Sequence, residues 1–239
     1  MQMLDITGDA ARAFAVLEAG GIAILPMNIG YSLTGGSETA LEKIFMAKGR
    51  TKEKLNAMIG DLAIHDEVHI LDQRGREVVR AITVDYDLPL GAIAPCRPDH
   101  PLLAKMTRTA YERSSKFDTV AMLMNAGPFH AEISRLSLER MHPLFGSSAN
   151  RSLSGTKFKV EDIEPELQDI ADIVIDYGLR TYHLYRASST LLDVENMNVV
   201  RYGACFELIA EIVKRHFRVE LPQPPPGYLL DLVGDRLDS

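Results

Sequence analysis

Residues 9–26, DAARAFAVLEA followed by GGIAILP once the shared boundary is set at Gly20, change period halfway, and that change decides the fold. Ala13, Phe14, Val16 and Leu17 fall at mixed helical spacing, and Gly20-Gly21 stops the helix. Gly21-Ile22-Ala23-Ile24-Leu25-Pro26 is then a short, continuously apolar run closed by proline, the pattern of a strand buried on both faces. A polar, glycine-bearing loop follows, ending in Thr34-Gly35-Gly36-Ser37. Ser37 is a candidate N-cap with Glu38 in the first turn, and Leu41, Ile44 and Phe45 form the inward stripe of a helix ending near Gly49.

Further along, strands are expected at 119–124, 143–146, 172–176, 189–194 and 198–201, with helices near 128–140 and 203–216. Residues 64–118 read as helices plus one loop. Strands and helices interleave throughout, so the class is α/β or mixed α+β, in a single domain over residues 1–220. Residues 221–239 open with Leu221-Pro222-Gln223-Pro224-Pro225-Pro226 and read as an extended, Pro-rich exit.

The 239 residues are 46% hydrophobic and 25% charged, an ordinary globular composition able to bury one large core. With 26 Lys plus Arg against 33 Asp plus Glu, the net charge of -7 gives no basic field for DNA or an anionic membrane. Any RNA contact must come from a local patch. No apolar run approaches a membrane span, and Met1-Gln2-Met3-Leu4-Asp5 lacks the marks of a secretory leader, so the expected location is the cytoplasm. Cys96 and Cys205 stand outside any CxxC spacing and read as small core residues.

Phosphate loops of the GxxxxGK[ST] and GxGxxG kinds are missing, so a nucleotide must be held by another device. His65-Asp66-Glu67-Val68-His69 is close to a zinc motif, but its glutamate is misplaced and no third ligand is positioned; a solvated helix or turn face is the expectation. Three other segments carry candidate chemistry. Lys48 sits on the inward stripe of its helix, beside Arg50, Lys52 and Lys54, and a lysine point charge next to an arginine fork suits a polyphosphate. Ser147-Ser148-Ala149-Asn150 follows a strand, where open α/β sheets bind ligands. Ser188-Ser189-Thr190 opens another strand, and hairpin pairing would bring Arg201 near those serines.

These pieces, in this order, resemble the YrdC-like family, which includes the threonylcarbamoyl-AMP synthases of tRNA modification. The resemblance runs from about residue 8 to 216 and is strongest in GGIAILP, ALEKIFMAKGRTKEK, PLFGSSANRS and SSTLLDV. It implies a twisted-sheet domain with a large concave cavity, and an adenylate-forming reaction using ATP with Mg²⁺, bicarbonate and an amino acid. By the same resemblance Lys48 and Arg50 match the phosphate-binding, catalytic pair, while Lys54, Ser148, Asn150, Ser189 and Arg201 match further nucleotide contacts.

Departures cluster on the amino-acid side. The family's loop threonines are Met27 and Ile29 here, ahead of Tyr31, and an arginine expected on the strand at 120–123 is Leu123. The expected substrate pocket is therefore a more apolar one, lined by Met27, Ile29, Tyr31 and Leu123. Ser152-Leu153-Ser154-Gly155 carries two extra residues before the serine-glycine pair. Relative to the family the chain carries an insertion near 95–118, and an arginine from it, Arg97 or Arg108, could replace the missing one. The alternative readings are a non-catalytic paralogue binding double-stranded RNA or a nucleotide, and a partner subunit docking by its Pro-rich tail.

Overall fold

The computed structural model describes residues 4–49, 55–112, 114–116, 118–152 and 154–225. Helix α1 (Ile6–Glu18) starts where the Asp5 carboxylate accepts from the Gly8 amide at 3.0 Å, and it turns Ala10, Ala13, Phe14 and Leu17 inward. Strands β1 (Ile22–Met27) and β2 (Gly30–Gly35) form an antiparallel hairpin, with Gly30 at φ 113° at the tight turn. Helix α2 (Glu38–Ala47) begins on the Ser37 hydroxyl, which accepts from the Ala40 amide at 3.2 Å, and ends at Lys48 and a left-handed Gly49.

Next come β3 (Ala57–Ile59), α3 (Leu62–Val68) and α4 (Gln73–Arg80). Strand β4 (Leu90–Pro95), α5 (Pro101–Ala104), α6 (Arg108–Glu112) and β5 (Ser115–Lys116) lead to β6 (Thr119–Met124). The chain closes with α7 (Pro128–Glu139), β7 (Phe145–Ser148), α8 (Pro165–Gln168), β8 (Ile173–Val174), β9 (Leu191–Asp193), β10 (Asn198–Arg201) and α9 (Phe206–Phe217). All strands join one twisted mixed sheet in the order β10-β9-β4-β6-β3-β7-β2-β1-β8, with β5 beside β6.

Several expectations are corrected. The loop expected at 27–36 is mostly strand β2, because β1 and β7 flank it on both sides and supply its ladder whatever its glycines and hydroxyls prefer. Residues 90–95, expected among helices and a loop, form the interior strand β4 between β6 and β9. The strand expected at 143–146 lies two residues later, so Ser147 and Ser148 belong to the ladder itself. His65 and His69 are 1% and 2% exposed, in the core rather than on a solvated face. The His69 Nε2–H donates to the Val120 carbonyl at 3.1 Å, which leaves Nδ1 to accept the His65 Nδ1–H at 2.8 Å, the tautomers being assigned from this network.

Leu221 is 3% exposed and joins the main core, and the Tyr202 hydroxyl donates to the Gln223 carbonyl at 3.0 Å. The rest of the Pro-rich exit, 226–239, lies outside the described residues. Among the described residues no helix is long and apolar enough to cross a membrane.

The two faces of the sheet differ, and that difference positions the site. Met58, Met122, Phe145, Ala92 and Leu192 are fully buried with the inward residues of α3, α4 and α9. Their sheet neighbours Ala57, Ala121, Leu123, Ile93 and Leu191 point the other way and are only half-buried, Ile59 being the exception. One face is thus packed and the other is partly open across β7, β3, β6, β4 and β9.

Candidate functional site

Small residues pave the open face. Gly146 lies opposite Thr34 and Ala57, Gly91 lies opposite Leu123, and residues directly across a ladder share a face. A Cβ on Gly91 would come 3.2 Å from the Ser189 Oγ, which puts that hydroxyl over the same face, and Ser148 stands on it opposite Ser32.

At one end, α2 delivers Lys48 as the helical stripe requires. The side chain is 3% exposed, and its Nζ donates to the Ser148 carbonyl at the end of β7. The Asn150 amide N–H donates to that same carbonyl at 2.9 Å. Asn150 is 7% exposed; its Nδ2 donates to the Arg151 carbonyl at 2.6 Å, while its Oδ1 accepts nothing among the described residues. The Ser152 hydroxyl is likewise buried and without a partner among the described residues, as is that of Ser147, which lies opposite Leu33 on the other face of the sheet. A buried cation beside several unmet acceptors and hydroxyls is an arrangement suited to a polar ligand. Arg50 and Lys54, expected to complete this end, lie outside the described residues.

At the other end, the Arg201 guanidinium donates from Nε and Nη2 to the Ser189 carbonyl at 3.2 and 2.9 Å, with the Ser189 hydroxyl 3.4 Å from Nη2. The β9–β10 hairpin makes this pairing. Between β9 and β7 stand β4, β6 and β3, so the two ends are four strand spacings apart, roughly 19 Å in a flat sheet. Leu123 lies between them.

The other expected pocket residues do not face the opening. Met27 and Ile29 are 0% and 5% exposed in the main core, and Tyr31 is 1% exposed in a second core with Ile22, Ile24 and Leu33. Met27 shares the face of Ser32 and Ser148 but is covered in the core with residues of α1 and α7, Ile29 sits in the turn between the two strands, and Tyr31 is on the opposite face, its hydroxyl spent on Asp176 Oδ1 at 2.8 Å, with burial first and this bond second pushing its pKa up. Arg97 is held by the Glu67 and His69 carbonyls at 2.6 and 2.9 Å, and Arg108 is an exposed partner of Glu112. Neither fills the place of the lost arginine.

Sequence reasoning missed Arg180, which lies in an irregular segment with no periodic signal. It is 9% exposed and donates to the Met27 carbonyl at 3.1 Å, the Tyr177 carbonyl at 3.1 Å and Asn28 Oδ1 at 3.2 Å, clamping the turn between β1 and β2. Burial lowers its pKa from the ordinary arginine value. A cleft of about 400 Å³ between α3 and α4 shares no residue with the candidates.

A twisted mixed sheet in this order, with this open face, defines a class. The chain belongs to the Sua5/YciO/YrdC family, whose model, described as "Telomere recombination", matches residues 15–203. Among solved structures it is similar to a hypothetical protein, smu.1377c, from Streptococcus mutans, at 19% identity and a TM-score of 0.73, covering 88% of this chain and 92% of that one. P. abyssi Sua5 complexed with L-threonine matches at 19% identity and a TM-score of 0.71, over 92% of this chain and 61% of that one. E. coli YciO matches at 18% identity and a TM-score of 0.61, over 83% and 89%. The chain thus spans about three-fifths of the P. abyssi protein.

Proposed function

We propose that this protein binds ATP along the open face and catalyses an adenylate-forming reaction like that of threonylcarbamoyl-AMP synthases. The amine of a small amino-acid-like substrate and bicarbonate would give a carbamate and water, and the carbamate and ATP a carbamoyl-adenylate and pyrophosphate. The observation that supports it most is the meeting of Lys48 with Ser148 and Asn150, which brings a buried ammonium to a strand end rich in hydroxyl and amide groups. That a P. abyssi relative of this fold has been solved with L-threonine supports an amino acid as the second substrate.

In this reaction a carbamate oxygen attacks the α-phosphorus in line, forming the new P–O bond as the bond to pyrophosphate breaks. Lys48 holds a fixed positive charge against the phosphates, where it needs no reorganisation as charge moves onto the leaving group. Asn150 orients a phosphate or ribose oxygen, and the Ser189–Arg201 pair offers a second polar anchor for an extended nucleotide. Mg²⁺, arriving with ATP, would neutralise phosphate charge. The groups that could hold it fit as a partial set: the unmet oxygens at Asn150 and Ser152 are hard ligands, and no three His, Cys, Asp or Glu converge among the described residues.

The test is pyrophosphate release with ATP, Mg²⁺, bicarbonate and each amino acid in turn. Lys48→Met, which keeps the buried stem, is expected to lower turnover about 100-fold while the protein still melts cooperatively. Undiminished turnover in that variant would overturn the role of Lys48. A second reading, a non-catalytic RNA or nucleotide binder, is favoured by Leu123 standing in mid-face with Arg97 and Arg108 both committed elsewhere. It predicts ligand binding by calorimetry without release of pyrophosphate under any substrate set.

A further inference from the structure

We propose that a cavity just past the end of β6 holds the side-chain ammonium of a basic amino acid, the second substrate, an inference that rests on the adenylate-forming reading above. The cavity measures about 280 Å³ and lies among Asn28, Asp87, Asn125, Gly127, Ala131 and Tyr182. Four parts of the fold meet there: the turn between β1 and β2, the segment ahead of β4, the start of α7, and the stretch that crosses from β8 at one edge of the sheet to β9. Backbone hydrogen bonds fix their meeting, the Asn28 amide donating to the Ala126 carbonyl at 2.7 Å and the Tyr182 amide to the Asn28 carbonyl at 2.9 Å. Gly127, at φ 104°, lets the Asn28 side chain lie against the start of α7, since a Cβ there would come 2.5 Å from Asn28 Cγ.

Charge picks the ligand. Asp87 is the one charged side chain in this wall among the described residues. Its Oδ1 accepts from Asn125 Nδ2 at 2.9 Å, which orients the carboxylate, and its Oδ2 has no partner among those residues. Tyr182 lines the same cavity, and burial first, then Cys205 and Asp87, raise its pKa, so the phenol stays a neutral O–H group near the carboxylate. A carboxylate and a phenol oxygen both accept from an ammonium, and an aromatic ring adds attraction for a cation. An anion would instead meet an uncompensated carboxylate. Arg180 is held by the Met27 and Tyr177 carbonyls and Asn28 Oδ1, and it is not part of the wall.

Position ties the cavity to the reaction. Asn125 follows Leu123 by two residues, roughly 7 Å of strand, and Leu123 stands mid-face between the Lys48 and Arg201 ends. A basic amino acid with its side-chain nitrogen in the cavity reaches back with its α-amine to mid-face. The two nitrogens then part in role. The α-amine, unprotonated, attacks the carbon of bicarbonate, forming the N–C bond of the carbamate as water leaves. The nitrogen held at Asp87 keeps its proton, has no lone pair to give, and is spared. A substrate with an apolar chain leaves the Asp87 carboxylate unmet when it fills the cavity, which is unfavourable.

The experiment is calorimetry on the full chain, titrating L-lysine, L-threonine and L-norleucine, which has lysine's carbon chain without the ammonium, each with and without a non-hydrolysable ATP analogue. Lysine is expected to bind about 10-fold more tightly than either of the others. Asp87→Asn keeps the size of the side chain, the bond to Asn125 and tolerance of φ 52°, and is expected to erase that preference while analogue affinity is unchanged. Should that variant fail to melt cooperatively, Ala131→Lys, at an exposed position of α7 in the cavity wall, is expected to erase the preference by placing a cation there. Norleucine or threonine binding as tightly as lysine in the wild type would overturn the proposal, as would a lysine preference that survives in either folded variant. Analogue binding without a lysine preference overturns the proposal alone. A lysine preference that depends on Asp87, with neither analogue binding nor pyrophosphate release, supports the cavity and overturns the ATP reading.

Discussion

Arg180 and Lys48 are both buried cations, and they differ in how far the sequence announces them. Lys48 continues the stripe of Leu41 and Ile44, so helical geometry alone sends it inward. Arg180 reaches across 152 residues to Asn28 and 153 to Met27, a contact that no local period encodes. Its guanidinium supplies donors to two backbone carbonyls in a setting with little water. Arg180→Met should cost about 2–4 kcal/mol in urea denaturation, since the Met27 and Tyr177 carbonyls lose their partner. A loss under 0.5 kcal/mol would show that the turn does not depend on this clamp. Asn150 and Ser148 were legible as a strand-end group; that Ser148 offers its carbonyl to Lys48 was not, because hydrogen bonding to backbone leaves no trace in residue type.

Among the elements, α1, α2, α7 and α9 and strands β1, β6 and β10 follow from periodicity and caps, since each carries its own signal over several residues. Strands β2 and β4 do not. Gly30-Tyr31-Ser32-Leu33-Thr34-Gly35 and Leu90-Gly91-Ala92-Ile93-Ala94-Pro95 are rich in small residues, and they become strands because neighbours on both sides complete their ladders. The small residues have a use in the site: a Cβ at Gly91 would come 2.7 Å from Leu191 Cδ1 and 3.1 Å from the Thr190 carbonyl, as well as close to Ser189. Gly91→Ala is expected to destabilise by about 1–3 kcal/mol and to weaken nucleotide binding through displacement of Ser189. Calorimetry on the folded variant checks this, and unaltered stability with unaltered binding would contradict it.

At the scale of the whole molecule, three buried histidines make stability depend on pH. Burial lowers His65 to about 4, His69 to about 3 and His130 to about 4. In the unfolded chain each titrates near 6.5, so below that pH the unfolded state binds more protons than the folded state. Their contribution is complete above about 6.5 and is lost as the pH falls toward 3–4. The melting temperature should therefore already decline between pH 6.5 and 5, before most carboxylates titrate; a flat profile across that interval would contradict the neutral, buried pair at His65 and His69. The same burial was invisible in HDEVH, where the spacing alone suits solvent or a metal equally well. The mixed class, the leading helices and strands, and the inward course of Lys48 can be read along the chain, because they depend on periods within a few residues. Which face of the sheet stays open, that Met27, Ile29 and Tyr31 fill cores while Leu123 faces the opening, and where Arg180 stands follow from packing between distant segments. Those outcomes depend on the order of strands and on contacts between segments 100 or more residues apart, such as Lys48 with Ser148 and Arg180 with Met27, and chain chemistry fixes them only when the sheet has closed.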